Sequence, residues 1–481
     1  MMKKELTLAL NYALNKGFQI HPNAFKFLEN VDVKKLEKII KEIVREKTKQ
    51  KLFQINQDDL EVYLGIKEDQ TLQNDHKITF DPTLKITTGE GVKGYNSLFS
   101  SRYNKLKRII SDRPESRMLK TIASVKSAKS DDDMYVCGLV TSRITERSIT
   151  KLVLEDPSGL FEGIVFDTEL QKVAGSLLND QFIMARIGIG KNSGYIIKDL
   201  ISPDIPDQAT NRSETETYAV FLSDLHIGSK YFMEEEFTEF VSWLSSPDPI
   251  ARKIRFVLIG GDLVDGVGIY PNQDKELVCQ TIEEQLKKVE ELIDKVPNYI
   301  KIFIMPGNHD PGRRALPQPA IPKKYNSGLW ERENVFMVGN PAVVSLNGVK
   351  VMMFHGQSID DIVKTTPGLS YDKPTNVMKH LLRARHLSPI YGSQTPIAPE
   401  IEDLMVIDEI PDIFHVGHVH RAELDMYKGI LLINSGSWQK QTPFQASVGM
   451  TPNPGIALMV NLKTFKVYHE NYNSNKLNNI L

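Results

Sequence analysis

Residues 255–266 read RFVLIGGDLVDG, an apolar run that stops at two glycines and then offers Asp262 and Asp265. A short apolar run bounded by glycine fits a strand buried on both faces, as in a parallel sheet. The glycines let the backbone turn sharply where the strand ends. Four other stretches repeat the arrangement: YAVFLSDLH at 218–226, IKIFIMPGNHD at 300–310, VKVMMFHG at 349–356 and IFHVGHVH at 413–420. Each places Asp, Asn or His where an apolar strand stops, the edge at which open α/β sheets bind ligands. Helical patterns separate the first of these strands, EEEFTEFVSWLSS at 234–246 and TIEEQLKKVEELIDKV at 281–296, which is α/β organisation. Later strands arrive with fewer helices between them, so a second sheet packed on the first is expected.

Upstream the pattern changes. From about Lys120 to Ser202 short alternating runs are bounded by Gly, Pro and Asp. Five strands with one helix between the third and fourth fit an OB-type barrel. Aromatics are sparse there, so a contact with another subunit is as good a role as binding a single strand. Residues 5–64 read as short helices: Leu6, Leu10 and Leu14 recur at i, i+4, i+8, and Leu36, Ile39, Ile40 and Ile43 form one face of a run that Asp32 can cap. Residues 67–95 read as a polar linker, followed by a basic helix carrying Arg102, Lys105, Lys107, Arg108 and Arg113. Its charges suit a solvated face or a phosphate contact. The expected division is 1–66 helical, 67–118 linker and basic helix, 119–204 barrel, and 217–475 α/β.

The 481 residues carry a formal net charge of only −2, with 41 % hydrophobic and 25 % charged residues. This is an ordinary globular balance. A nucleic-acid partner would need a local basic patch or another subunit to hold its backbone. Cys137 and Cys279 are far apart in the sequence and outside any C-x-x-C pair, which argues against a disulfide framework and a cysteine zinc site. Glu5, Asn11, Tyr12 and Asn15 interrupt the apolar start, so no secretory leader is expected. No apolar run approaches the ~18 residues of a membrane span. An intracellular protein is the expectation.

Singly the strand-end motifs are weak: a lone Gly-Asp is a turn, and His355 alone reads as a core histidine. As an ordered set, Asp-x-His, Gly-Asp, Gly-Asn-His-Asp, His and Gly-His-x-His supply oxygen and imidazole donors for two divalent metals. No thiolate is offered, which disfavours structural zinc. Arg313 and Arg314, just after the Gly-Asn-His-Asp loop, are candidates to grip a phosphate. Tyr371, Lys373 and Trp438 are further lip candidates. His415 is read as structural, and His21, His76, His380, His386 and His469 have no companions in sequence.

At these motifs the chain resembles the calcineurin-like metallophosphoesterases, over about residues 217–440. The resemblance implies a four-layer α/β/β/α sandwich. It implies that Asp224, His226 and His420 hold one metal, that Asn308, His355 and His418 hold another, and that Asp262 bridges them. His309 would face the scissile phosphate, with Asp310 orienting it or a ligand. The implied cofactors are two divalent ions, manganese foremost, with magnesium, iron(II) or zinc as alternatives. Gly266 stands where protein phosphatases carry an arginine, and Asp310 where they carry glutamate, both counting against a protein phosphatase. With the inserts PGRRALPQPAIP (311–322) and NSGSWQKQTPFQ (434–445), the whole chain resembles the small subunits of archaeal family-D DNA polymerases. That implies a 3′→5′ proofreading exonuclease in the cytoplasm, at the nucleoid. It also implies a large polymerising partner subunit, DNA 3′ ends as substrate, and the sliding clamp reached through the complex. An idle scaffold and a free-standing nucleotide phosphodiesterase are the alternatives.

Overall fold

The computed structural model describes residues 2–30, 36–63, 72, 74–127, 133–146, 148–190, 194–447 and 449–473. Asp32 lies outside them. The fold is mixed α/β, with two six-stranded sheets, a closed barrel and a small helical unit.

The helical unit comprises Met2–Asn15, Pro22–Asn30, Leu36–Lys49 and Gln57–Tyr63, with a two-residue parallel bridge between Gln19–Ile20 and Gln54–Ile55. Leu36, Ile39, Ile40 and Ile43 are buried, as their spacing demands. The first helix differs from expectation. Its core face is Ala9 and Ala13, whereas Leu6 and Leu10 are only half-buried and Leu14 is exposed. Small side chains let this helix approach Leu36–Lys49 closely, a face that a leucine count overlooks.

Residues 76–80 correct the linker reading. His76–Phe80 is the edge strand of the second sheet, antiparallel to Ala342–Leu346. An edge strand is only partly covered, so its HKITF sequence lacks the apolar signature of the interior strands. The basic helix, Gly91–Ile110, is a packing element. Leu98, Arg102, Tyr103, Leu106 and Ile110 are buried. Arg102, 1 % exposed, meets Asp403 at 2.8 Å and the Pro389 carbonyl at 2.6 Å. Lys105 pairs with Glu402 at 2.6 Å and Arg108 with Asp408 at 2.8 Å. The acidic segment 402–408 thus takes up charges that a phosphate contact would need.

The barrel strands are Met134–Glu146, Ile149–Asp156, Gly159–Val165, Phe182–Ile189 and Tyr195–Ile201. The first pairs with the second and the fourth, the third with the fifth, and the fifth with the fourth, closing the sheet. Closure removes free edges. Tyr135, Cys137, Leu139, Phe182 and Met184 pack against Tyr103, Leu106 and Ile110 of helix Gly91–Ile110, so that barrel face is covered by the chain itself.

One large sheet runs in the order Val335–Met337, Lys301–Ile304, Ile254–Ile259, Tyr218–Leu222, Ile456–Asn461, Val467–Asn471, with the first four parallel. The other runs Ala422–Tyr427, Ile430–Ser435, Ile413–Val416, Val349–Phe354, Ala342–Leu346, His76–Phe80. Phe221, Phe256, Leu258 and Phe303 of one meet Val344, Val351, Met353 and Ile433 of the other. Helices Glu234–Leu244 and Ile282–Ile293 cover the outer face of the first sheet, and Ile359–Thr365 and Pro374–Ala384 that of the second. Strands buried on both faces read as continuous apolar runs, which is why they were visible in the sequence. Their C-terminal ends converge on one cleft.

Candidate metal centre

The cleft has a volume of about 530 Å³ and is lined by His226, Asp262, Asn308, His309, His418 and His420, among others. Asp224 and His355 lie fully buried beneath them. Backbone shape marks the same residues. Of twelve non-glycine residues with positive φ among those described, five are Asp224, His226, Asp262, His418 and His420. Left-handed backbone is costly for such residues and concentrates where function requires it. Two glycines make the turns pack. A Cβ at Gly307 would lie 2.2 Å from Asp262 Oδ1, and one at Gly417 would lie 2.4 Å from Ser223 Oγ.

Ligand-type atoms fall into three overlapping groups, each within 4.8 Å: Asp224, His226 and His420; His226, Asp262 and His309; Asp262, His355 and His418. Asn308 Oδ1 joins the last at 2.9 Å from His355 Nε2. The hydrogen bonds behind these atoms fix which ring nitrogens are bare. His355 Nδ1 donates to the Gly260 carbonyl at 2.9 Å, leaving Nε2 as a lone pair that faces Asn308 Oδ1 and, at 3.4 Å, Asp262 Oδ2. His226 Nδ1 donates to Asp265 Oδ1 at 3.2 Å, which aims Nε2 at His420 Nε2, 3.1 Å away. His418 Nε2 donates to Asp360 Oδ2 at 3.1 Å, freeing Nδ1. Asp224 Oδ1 is buried without a hydrogen-bond partner. The His355 Nε2 lone pair, Asn308 Oδ1 and Asp262 Oδ2 are acceptors facing one another, which repel unless a cation or a proton lies among them.

Charge leads to the same place. Asp224, Asp262 and Asp265 are buried, and among the described residues their ion pairs run to histidines. Burial would raise the Asp262 carboxyl, but His355 and His309 hold it well below the usual range. Burial would lower His355, yet the Asp262 carboxylate outweighs it and pushes the ring up to about 9. A cluster this short of positive charge draws protons onto its histidines and suits divalent cations.

Several supports escaped the sequence reading. Asp265 orients His226 with its carboxylate and His309 with its carbonyl, which accepts from His309 Nδ1 at 2.7 Å. Gln273 and Gln439 hold the Asp265 carboxylate. Asp360 holds His418, and the Gln445 amide lies 2.9 Å from His420 Nδ1. Ser435 donates to Ser223 at 2.9 Å, and Ser223 donates to Asp224 Oδ2. His415, fully buried, backs this relay through Ser435 at 3.0 Å. The second aspartate of Gly-Asp-Leu-Val-Asp was the one local signal. Ser223 adjoins Asp224, and the remaining supports come from distant segments.

Four readings need correction. Asp310 accepts from the backbone N–H groups of Gly307, Leu263 and Val264. It therefore ties two loops together, and the grip on the His309 ring is that of Asp265. Arg313 is committed to Glu400 at 2.6 Å and to the Pro317 carbonyl; Arg314 is exposed and does not line the cleft. Of the lip candidates, Tyr371 lines the cleft, Lys373 pairs with Glu423 at 3.2 Å, and Trp438 is core. His386 does have company, at 2.9 Å from Asp403.

Residues 219–423 match the family model of the B subunits of DNA polymerases alpha and epsilon. The DNA polymerase II small subunit of Archaeoglobus fulgidus is 39 % identical, over 79 % of this chain and 77 % of that one. The one of Methanothermobacter thermautotrophicus is 35 % identical over 82 % of each. Among solved structures, an archaeal phosphodiesterase overlays at a TM-score of 0.28 and 12 % identity, covering 53 % of this chain and 99 % of its own, too slight a likeness to bear on the fold. Identity of this order, sustained over most of both chains, places the chain in the DNA polymerase II small-subunit family, that of the archaeal family-D polymerases.

Proposed function

We propose that the chain is the 3′→5′ exonuclease of its polymerase, hydrolysing DNA phosphodiesters at a two-metal centre. The observation that carries this is the set of buried donor atoms facing one another with, among the described residues, no lysine or arginine paired to their carboxylates. Asp224, His226 and His420 would hold one ion, Asn308, His355 and His418 the other, and Asp262 both. Such ions supply Lewis acidity and lower the pKa of water. Manganese is the occupant we expect, with magnesium, iron(II) or zinc as alternatives: the carboxylate and amide oxygens suit manganese or magnesium, the imidazoles iron or zinc.

His309 is the proposed catalytic residue. With Nδ1 fixed on the Asp265 carbonyl, its Nε2 is the atom left to pass a proton to the leaving 3′ oxygen. A nuclease attached to a polymerase serves fidelity only from the 3′ end, the end being extended. The partners are then a large polymerising subunit, DNA 3′ ends and, through the complex, a sliding clamp. We assign partner contact to the OB-type barrel and retain four segments, 1–66, 67–118, 119–204 and a phosphoesterase at 217–475, with strand 76–80 added to the last.

Manganese titration calorimetry on the full chain tests the centre. Two ions per chain are expected for wild type and for His309→Ala, with chelator abolishing DNA hydrolysis. Asp262→Ala should lose both. Unchanged stoichiometry in Asp262→Ala would overturn the bridging role.

A further inference from the structure

The cleft has an unusual lining for a site that handles a polyanion. Beside its histidines it offers, among the described residues, one lysine, Lys364, which is hydrogen-bonded to Gln394. Arg313 is locked onto Glu400. Much of the remaining wall is apolar, with Tyr270, Tyr371, Phe444 and Met450. Electrostatic grip on a backbone is therefore weak here, and binding must draw on something besides phosphate contacts.

Phe444 stands out. It is 66 % exposed, more than any other aromatic ring among the described residues. It belongs to the short helix Pro443–Ser447, and the next residue, Gln445, meets His420 at 2.9 Å. The residue is thus tied through its neighbour to a candidate metal ligand, while its own ring stays exposed at the cleft wall. Across the cleft the Tyr270 ring sits 6.4 Å from that of His309, its hydroxyl held by Glu276 at 3.0 Å. A large apolar ring kept in water costs free energy unless a ligand covers it. A nucleobase is the flat partner that a nucleotide places one sugar away from the phosphate under attack, and base–aromatic stacking tolerates every base.

We propose that Phe444 is the stacking platform for the base of the 3′-terminal nucleotide, so that the cleft selects an unpaired end. A paired base has its faces covered by the helix, whereas a frayed or mismatched one is free to stack on Phe444. This rests on the nuclease reading above and adds to it a substrate-selecting residue. Because the ring touches no donor atom of the centre, its loss should weaken binding and spare the chemical step.

The test uses the full chain with its polymerase partner, manganese, and two 5′-labelled single strands. One ends in an ordinary nucleotide, the other in an abasic tetrahydrofuran residue. On the ordinary end, Phe444→Ala should raise KM about ten-fold, the scale of one lost base stack, with kcat within about two-fold. Phe444→Trp should restore KM. On the abasic end the three proteins should coincide. A 3′-terminal 2-aminopurine, read in calcium without turnover, should be quenched by wild type and by Phe444→Trp but not by Phe444→Ala. Equal KM changes on both ends, or none, would overturn the stacking role while leaving the nuclease standing. A wild type that cuts neither end would overturn the nuclease reading and this inference together.

Discussion

Replacing Asp403 with alanine should destabilise the α/β part of the molecule more than any surface change. Asp403 is 1 % exposed and takes up Arg102 Nε at 2.8 Å and His386 Nε2 at 2.9 Å. His386 Nδ1 accepts from the Ser388 N–H, so its Nε2 carries the proton and must donate. Asp403→Ala leaves, among the described residues, a buried guanidinium with the Pro389 carbonyl as its hydrogen-bond partner and the Phe99 ring beneath it, and a buried imidazole N–H with no acceptor. Breaking a buried pair from one side costs about 3–5 kcal/mol. For a unit of this size that is a fall in melting temperature of roughly 10 °C. In the double variant Arg102→Met/Asp403→Leu the buried charge is gone and about 1–3 kcal/mol remains, for the orphaned His386 N–H. Differential scanning calorimetry of the full chain reads both. A single variant melting within about 2 °C of wild type, as a surface substitution would, would refute the claim that this pair anchors helix Gly91–Ile110.

Acid should act through the same place. Burial and then Arg102 push His386 down to about 4, whereas an unfolded histidine titrates near ~6.5. The unfolded chain therefore gains a proton first: stability is full above that value and falls toward pH 4, by roughly 3 kcal/mol for this residue. Burial lowers His380 and His415 as well, so melting temperature should drop steeply between pH 7 and 4.5, and a flat profile would contradict it. Asp265→Ala should keep the fold but weaken manganese binding about 10–100-fold, the usual cost of removing a ligand's support, measured by calorimetry. Gly417→Ala should abolish that binding, because its Cβ would lie 2.4 Å from Ser223 Oγ and 2.5 Å from Asp224 Oδ2; wild-type affinity would show that the turn is not constrained.

The candidate donors were legible because each ends an apolar strand, and such strands in a doubly covered sheet leave a plain sequence trace. What supports the donors was not. Asp360 and Gln445 reach His418 and His420 from separate segments, 58 and 25 residues away, and no local pattern encodes such pairings. Arg313 illustrates the converse: its position beside the Gly-Asn-His-Asp loop suggested phosphate, but Glu400, 87 residues on, claims it. Strand His76–Phe80 was hidden by its place at a sheet edge, and the role of Ala9 and Ala13 by their small size. Helix Gly91–Ile110 looked solvated because the acidic segment that neutralises it lies some 300 residues downstream.

The most direct measurement is digestion of a 5′-labelled, mismatched 3′ primer end with manganese or with chelator, comparing wild type and His309→Ala in complex with the large subunit. The account predicts a manganese-dependent ladder shortening from the 3′ end, absent in the variant although it still binds metal. No ladder from the wild-type complex, or an equal ladder from His309→Ala, would contradict it.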